Sequence, residues 1–304
     1  MSAGAVRSGS AGELGERVSA PFGRRGCEVT RNEASGGYRI FSALDESGPV
    51  PAAGQFYMLA AESGWGLEDG RPYLARAFSV ADCEAQAGGL RLDFLVHGVG
   101  PGTRRLCALE PGERLWIHGP LGRPFAPPAA LNDGAAGAIL VGGGIGIAPL
   151  ALWRRRLSDA GLASRVLLGF RDRERSGGLD LFRCSEIKLA SEDGHQGHRG
   201  YVTDLLTVML EGDDAASAAV YACGPPAMLE ATRTLCAERG VVCELALEAP
   251  MACGYGACFG CAVQLAGGGY MRLCVDGPVV RGEEIAAPGR EAGEAATDWG
   301  PGPR

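Results

Sequence analysis

The sequence predicts a multidomain chain: an antiparallel β-barrel, then an α/β domain on a parallel sheet, then a small cysteine-rich C-terminal domain. Three observations carry this reading. Short strand-like runs separated by turn residues fill the stretch from about 25 to 125. From about 135, continuous apolar runs alternate with helix-like segments. Near the C-terminus, four cysteines fall inside one glycine-rich segment of the 304-residue chain. The divisions follow: 1–24 a flexible N-terminal segment, 25–127 the barrel, 128–247 the α/β domain, 248–285 the cysteine domain, 286–304 a flexible tail. The two ends, rich in Gly, Ala, Ser and Arg, show no periodicity that could build a core.

In the barrel stretch the clearest strands are Gly54 to Leu59, Ala77 to Val80, Leu90 to Val96 and Arg114 to Ile117. Short runs bounded by turn residues at this spacing suit a closed antiparallel sheet rather than helices. In the next stretch, Ala138 to Val141 is wholly apolar, as a strand buried on both faces should be. Then come a helix (Ala148 to Ala160), a strand (Arg165 to Phe170), a helix (Val202 to Leu210), a strand (Ala218 to Ala222), a helix (Pro226 to Arg239) and a strand (Val241 to Leu247). Strand and helix in alternation imply parallel strands joined by right-handed crossovers.

Composition removes several function classes. Hydrophobic residues at 46% and charged residues at 21% support packed cores. The formal charge is −7, from 36 acidic and 29 basic residues, and no basic block stands out, which argues against nucleic acid as a partner. Lys188 is the only lysine among the basic residues. No apolar run reaches the roughly 18 residues of a membrane helix, and the first twenty residues lack the apolar core of a signal peptide. Eleven cysteines, in a chain too large to need disulfide staples, read as reduced thiols in a cytoplasmic protein.

The strongest chemical signal is MACGYGACFGCAV followed by RLCVDG. It spaces Cys253, Cys258, Cys261 and Cys274 as C-x4-C-x2-C-x12-C, the plant-type [2Fe–2S] arrangement. Three thiolates come from one curling loop and the fourth from farther along. Gly254, Gly256 and Gly260 let backbone N–H groups approach the sulfurs. Inert buried cysteines and zinc are the competing readings. A structural zinc site usually draws on two C-x2-C knuckles, and only Cys258/Cys261 has that form. Of the other seven cysteines (Cys27, Cys83, Cys107, Cys184, Cys223, Cys236, Cys243), six read as ordinary small apolar residues.

Two further segments suit phosphate-bearing ligands. Ile139 to Leu150 is a strand, a glycine turn (Gly142, Gly143, Gly144, Gly146), then a helix with Pro149 in its first turn. That turn leaves N–H groups free to face a phosphate. It lacks the glycine at 147 that the usual dinucleotide fingerprint would require, so taken alone it is equally a packing feature. Tyr221 to Pro226 (YACGPP) is a second strand end turning into a helix, at the same carboxyl edge where ligands of open α/β sheets bind. In the barrel, Arg76-Ala77-Phe78-Ser79 places a cation near a hydroxyl, and Gly98 to Thr103 offers backbone amides. A pyrophosphate needs that combination. A solvated arginine and a plain turn explain the same residues equally well. The four histidines form no catalytic set, and no Ser/His/Asp arrangement or metal-hydrolase motif is present.

Taken together, R-x-F-S, G-x-G-T, GGGIGIAPL, the CGP strand end and LEAPMACGYGACFGC…RLCVDGPVV resemble the ferredoxin–NADP reductase superfamily. Within it they resemble the electron-transfer subunits of class 1B dihydroorotate dehydrogenase, over about 25 to 285. The resemblance implies an FAD-binding barrel, an NAD-binding α/β domain and a [2Fe–2S] domain. It implies flavin contacts from Arg76, Ala77, Phe78 and Ser79, and a second phosphate segment at Gly100, Gly102 and Thr103. It implies a nicotinamide dinucleotide over Gly143, Gly144 and Gly146, with Cys223 and Gly224 near its ring, and Cys253, Cys258, Cys261 and Cys274 on the cluster. Related subunits often carry RRPxS, and here only the second arginine is kept. The implied activity is electron transfer from an FMN-containing catalytic subunit that oxidises dihydroorotate, through the cluster and FAD, to NAD+ in pyrimidine biosynthesis, within a heterotetramer. Other FAD/[2Fe–2S] reductase subunits and a non-catalytic zinc module are the alternatives. Arg171, Arg173 and Arg175, after the second strand of the sheet, leave NAD against NADP open.

Overall fold

The computed structural model describes residues 23–68, 73–182, 186–212 and 217–286. The expected flexible segments fall almost wholly outside these residues, as does Cys184. Six strands close a barrel: β1 (Arg25–Ser35), β2 (Tyr38–Asp45), β3 (Phe56–Ala61), β4 (Arg76–Gln86), β5 (Gly89–Val96) and, after helix α1 (Pro101–Cys107), β6 (Arg114–Leu121). The order around the barrel is β1-β2-β5-β4-β3-β6, with every pairing antiparallel. β1 and β2 had no strong sequence signal. Along β1 only Cys27 and Val29 are buried, so most of its eleven residues read as polar surface.

β3 shows how the barrel meets the rest of the chain. Successive side chains of a strand point to opposite faces. Tyr57 and Leu59 join the core that fills the barrel, while Phe56 and Met58 pack into a second core shared with the C-terminal cysteines.

After a single helical turn, α2 (Pro128–Leu131), a seven-stranded sheet forms from β7 (Gly137–Gly143), β8 (Ala163–Phe170), β9 (Ile187–Ser191), β10 (His198–Arg199), β11 (Ala218–Cys223), β12 (Cys243–Ala246) and, further along the chain, an edge strand at Val279–Arg281. Its order is β10-β9-β8-β7-β11-β12 and then that edge strand. The first six are parallel, as strand–helix alternation requires, and the seventh runs antiparallel to β12. The antiparallel edge went unforeseen because it comes from a three-residue run inside the cysteine-rich stretch.

Three helices cover the sheet: α3 (Ala148–Asp159), α4 (Val202–Leu210) and α5 (Pro226–Arg239). α3 packs into the core that continues into the barrel, whereas α4 and α5 pack on the other core. The last strand before the cysteines is shorter than its apolar run. α5 ends on Gly240 at φ 64°, and Val241 N–H bonds the Cys236 carbonyl, so Val241 and Val242 belong to the helix-ending turn.

The cysteine-rich stretch adds a small hairpin, β13 (Ala262–Gln264) with β14 (Tyr270–Arg272), the helical turn α6 (Leu273–Asp276), and the edge strand, β15 (Val279–Arg281). Barrel and sheet are tied at two places. Arg155 of α3 pairs with Asp82 of β4 at 2.8 Å. Between the two units, Ala126 donates its N–H to Glu244 (2.9 Å) and accepts from the Tyr221 hydroxyl (2.7 Å). Phe125, Trp153 and Tyr221 pack around this joint with ring centroids 5.3–5.8 Å apart. Among the described residues, no helix is long and apolar enough to cross a membrane.

Candidate functional site

The carboxyl edge of the sheet faces the barrel across a cavity of about 310 Å³. Strand order makes this edge the natural ligand crevice, because the chain leaves β7 toward β8 on one side and returns through β11 on the other. The barrel supplies Arg76, Ala77, Phe78, Ser79 and Thr103 to its wall. The sheet supplies Gly146 and Cys223. Two segments about 70 residues apart, singled out separately in the sequence, therefore converge on one space.

The phosphate-type geometry lies at the barrel end. The Thr103 hydroxyl accepts from Gly100 N–H at 2.9 Å, holding the turn that opens α1. A Cβ on Gly102 would stand 3.1 Å from the Trp65 ring and 3.6 Å from the Arg76 guanidinium carbon. No side chain therefore separates guanidinium from turn, and both can reach one anionic group. Among the described residues Arg76 has no carboxylate partner, and its guanidinium donates to the Leu74 carbonyl. These features fit a dinucleotide's phosphates.

The glycine turn divides by role. Gly143 lies against Gly224, where a Cβ would come within 3.0 Å of the Gly143 backbone, and a Cβ on Gly143 would strike Met228 and Pro225. These two glycines make the β7 and β11 ends pack. Gly144, at φ 55°, bends the chain out of β7. Gly146 borders the cavity, and a Cβ there would stand 2.7 Å from the Cys223 carbonyl carbon and from Gly224 Cα. The two turns thus close on each other and leave backbone as the floor. Burial holds the Cys223 thiol neutral, well above the usual thiol range, with the Glu248 charge adding to the effect.

The sequence did not single out Phe56, Leu95, His97, Glu248 or Met251, which also line this cavity. Glu248, next to the cysteine segment, is exposed on the cavity wall. Only the fold brings these residues to the wall, and the one available signal was their nearness to the motifs. The arginine run falls otherwise. Arg175 is paired with Asp172 at 2.6 Å, and Asp172 also accepts the Arg175 N–H, so this charge is already partnered.

The four cysteines occupy one loop and the turn beneath it. Gly254 (φ 80°), Gly256 (φ 86°) and Phe259 (φ 59°) take left-handed conformations that curl residues 253–261. Gly256 allows close approach, since a Cβ would meet Val275 at 2.7 Å. The sulfurs fall into two pairs. Cys261 and Cys274, both buried, lie 3.2 Å apart, while Cys253 is half-buried and Cys258 exposed on the loop above them. Backbone N–H groups point at the sulfurs: Gly260 to Cys258 and Cys274 to Cys261, each at 3.5 Å. Burial works against ionising Cys253, yet backbone N–H groups of Cys258, Tyr255 and Ala257 bring its pKa down to about 6.

An all-sulfur donor set in two pairs, cradled by amides, fits a two-iron cluster with two thiolates per iron. Among the described residues, no three Cys, His, Asp or Glu side chains gather to hold a single ion. Tyr255 and Phe259, 63% and 62% exposed, flank the loop on the surface.

Comparison with known proteins agrees with this geometry. A family model for the iron–sulfur cluster binding domain of dihydroorotate dehydrogenase B matches residues 248–286. The electron transfer subunit of dihydroorotate dehydrogenase B (NAD(+)) from Caldanaerobacter subterraneus subsp. tengcongensis is 34% identical over 245 residues, covering 78% of this chain and 88% of that protein. The subunit of the same name from Desulforamulus reducens is 36% identical over 217 residues, covering 70% and 80%. Among solved structures, a chain of the NADH-dependent reduced ferredoxin–NADP oxidoreductase superposes with a TM-score of 0.71 at 27% identity, covering 86% of this chain and 89% of that one. Phthalate dioxygenase reductase, at 19% identity and a TM-score of 0.56, shares the fold, covering 83% of this chain and 94% of that one. The chain belongs to the family of dihydroorotate dehydrogenase B electron transfer subunits.

Proposed function

We propose that this chain is the electron-transfer subunit of an NAD-dependent dihydroorotate dehydrogenase, acting in pyrimidine biosynthesis in the cytoplasm. It would pair with an FMN-containing catalytic subunit in a heterotetramer. The observation that carries the reading is the meeting of both nucleotide-type turns on one cavity, with β3 placing Phe56 on that cavity and Met58 against the four-cysteine loop. In this reading 25–127 binds FAD, 128–247 binds NAD, and 248–285 holds a [2Fe–2S] cluster. A flavin exchanges electron pairs with a nicotinamide and single electrons with a cluster, which lets one chain convert between the two.

The chain's residues supply position and environment. Arg76, with Gly100, Gly102 and Thr103, takes the charge of the flavin's phosphates. Ala77, Phe78 and Ser79 of β4 would hold the flavin at the cavity wall. Gly146 and Cys223 would hold the nicotinamide dinucleotide at the cavity wall, with Gly143, Gly144 and Gly224 shaping the two turns that carry them. Cys223, held neutral by burial, presents an uncharged wall there. Cys253, Cys258, Cys261 and Cys274 ligate the cluster, with Tyr255 and Phe259 beside it for a partner to cover. The paired Arg175 supports NAD over NADP.

A second reading has one specific support, the structural likeness to the NADH-dependent reduced ferredoxin–NADP oxidoreductase chain. There the partner would be a different flavoprotein and the one-electron carrier a ferredoxin.

The test is the visible spectrum of anaerobically purified protein before and after NADH, for the wild type and Cys258→Ser. The wild type should show flavin bands plus broad longer-wavelength absorbance, all bleached by NADH. Cys258→Ser should keep the NADH-bleached flavin, lose the long-wavelength absorbance, and pass no electrons to the partner. Full partner turnover by Cys258→Ser would overturn the route. Co-purification with a ferredoxin-reducing flavoprotein, in place of a dihydroorotate-oxidising one, would select the second reading.

A further inference from the structure

The amino edge of the sheet, at the far end of its strands from the nucleotide cavity, holds a second cavity of about 290 Å³. It lies between the last turn of α5, the first residues of β12, and the stretch Arg281 to Glu283 leaving β15. Cys236 and Cys243 both border it. Gly240 reverses the chain after α5 and Val241 N–H bonds the Cys236 carbonyl at 2.9 Å, which folds residue 243 back beside residue 236. The two thiols belong to none of the cluster or nucleotide machinery.

Their surroundings differ from those of the other buried cysteines. Both thiols line the one cavity, and the Gly282 backbone packs against the Cys243 sulfur. A Cβ on Gly282 would stand 2.5 Å from Cys243 Sγ and 3.3 Å from Arg233 Cγ, so a glycine is what allows the backbone so close to this sulfur. The Arg233 guanidinium adds a positive field. The Cys236 hydrogen bond, with these helpers, lowers the Cys243 pKa against the opposing pull of burial and the Glu283 charge. Cys236, which gives its hydrogen bond away, moves the other way. Burial pushes Cys27 up to about 12 and also raises Cys83. Of the two residues, Cys243 is the more exposed, 9% against 1%, and its sulfur is the one against which the Gly282 backbone packs.

We propose that Cys243 and Cys236 form a thiol–disulfide exchange site for small disulfides entering this cavity, with Cys243 the attacking sulfur and Cys236 the resolving one. The Cys243 thiolate attacks one sulfur of a disulfide RSSR. The S–S bond breaks, a Cys243–SR bond forms, and RS⁻ leaves to be protonated by water. Cys236 then loses its proton to solvent and attacks Cys243 Sγ, displacing the second RS⁻. Two protein thiols are oxidised to one disulfide, and RSSR is reduced to two RSH. The bond would fasten the end of α5 to the start of β12.

The experiment incubates the anaerobic holoprotein with oxidised glutathione, then blocks free thiols with N-ethylmaleimide. Trypsin and a glutamate-specific protease cut after Arg239 and Glu244, leaving Cys236 and Cys243 on separate peptides for mass spectrometry. The expected product is those two peptides joined by a disulfide. Cys236→Ser should stop at a glutathione adduct on Cys243, and Cys243→Ser should leave Cys236 unmodified. In untreated wild type, iodoacetamide should label Cys243 about tenfold or more faster than Cys27 or Cys83. This comparison decides alone if either serine variant fails to fold. Equal labelling rates, or a wild-type adduct on Cys243 that never resolves into the joined peptides, would overturn the proposal. Because none of these readouts uses the flavin or the cluster, failure here leaves the electron-transfer reading standing.

Discussion

The cluster loop and the amino edge of the sheet both bring sulfur atoms together, by opposite means. In the loop, four cysteines within 22 residues are gathered by local backbone, with left-handed turns at Gly254, Gly256 and Phe259. At the sheet edge, Cys236 and Cys243 meet because a helix ends, the chain reverses, and a strand from the far side of the cysteine segment delivers Gly282. The first arrangement is written as spacing. The second exists only once the sheet is built, and read as sequence those two cysteines are ordinary apolar filler.

Three substitutions sharpen the contrast. Gly256→Ala should act on the loop alone and most strongly. It forces a Cβ into a left-handed position (φ 86°) and to 2.7 Å from Val275, at a combined cost of about 3–4 kcal/mol. Iron content should drop sharply while flavin content holds, and equal loss of both would show that the loop is not a separate local unit.

Glu244→Gln comes next, since Glu244 adjoins Cys243 in the chain yet serves the joint at Ala126. Burial raises its carboxyl pKa from 4.5 to about 7, with the Ala126 N–H and Arg281 opposing. The folded chain holds that proton more tightly than the unfolded one. This contribution is therefore complete below the unfolded value and is lost as pH rises toward about 7, by roughly 3 kcal/mol in all. Denaturant midpoints of the wild type should fall over that window, and those of Glu244→Gln should stay flatter. A wild-type midpoint that rises instead would contradict the buried, protonated carboxyl.

Gly282→Ala should have the smallest effect on stability, about 1–2 kcal/mol, as the new methyl pushes the Cys243 sulfur aside. Cluster and flavin spectra should be untouched, while iodoacetamide labelling of Cys243 slows toward that of Cys27. Unchanged labelling would mean that the Gly282 N–H does not matter to this thiol.

The same division explains what the sequence made legible. α4 and α5 occupy the expected ranges, 202–210 and 226–239, because apolar periodicity, proline and glycine all mark their ends. The barrel's first strand escaped notice since it exposes most of its side chains, whereas β2 is largely buried and was simply not marked by its sequence. β15 escaped because three residues cannot announce a strand that completes a distant sheet. At the nucleotide cavity the motif residues Arg76, Ser79, Thr103, Gly146 and Cys223 were visible as motifs, whereas Phe56, His97 and Glu248 carry no local pattern. Gly143 and Gly224 were visible as glycines, but only the packing shows that they serve each other.

Phe56 of β3 lines the nucleotide cavity, and Met58, two residues along on the same face, lies where a Cβ on Gly254 would strike it at 2.6 Å. Cavity and cysteine loop are therefore separated by the width of one hydrocarbon wall, joined to the buried sulfurs of Cys261 and Cys274. A charge crossing such a wall tunnels through close-packed carbon, with no water to rearrange on the way. Narrowing or thickening it at Met58 would tune the speed of that crossing without touching a single ligand.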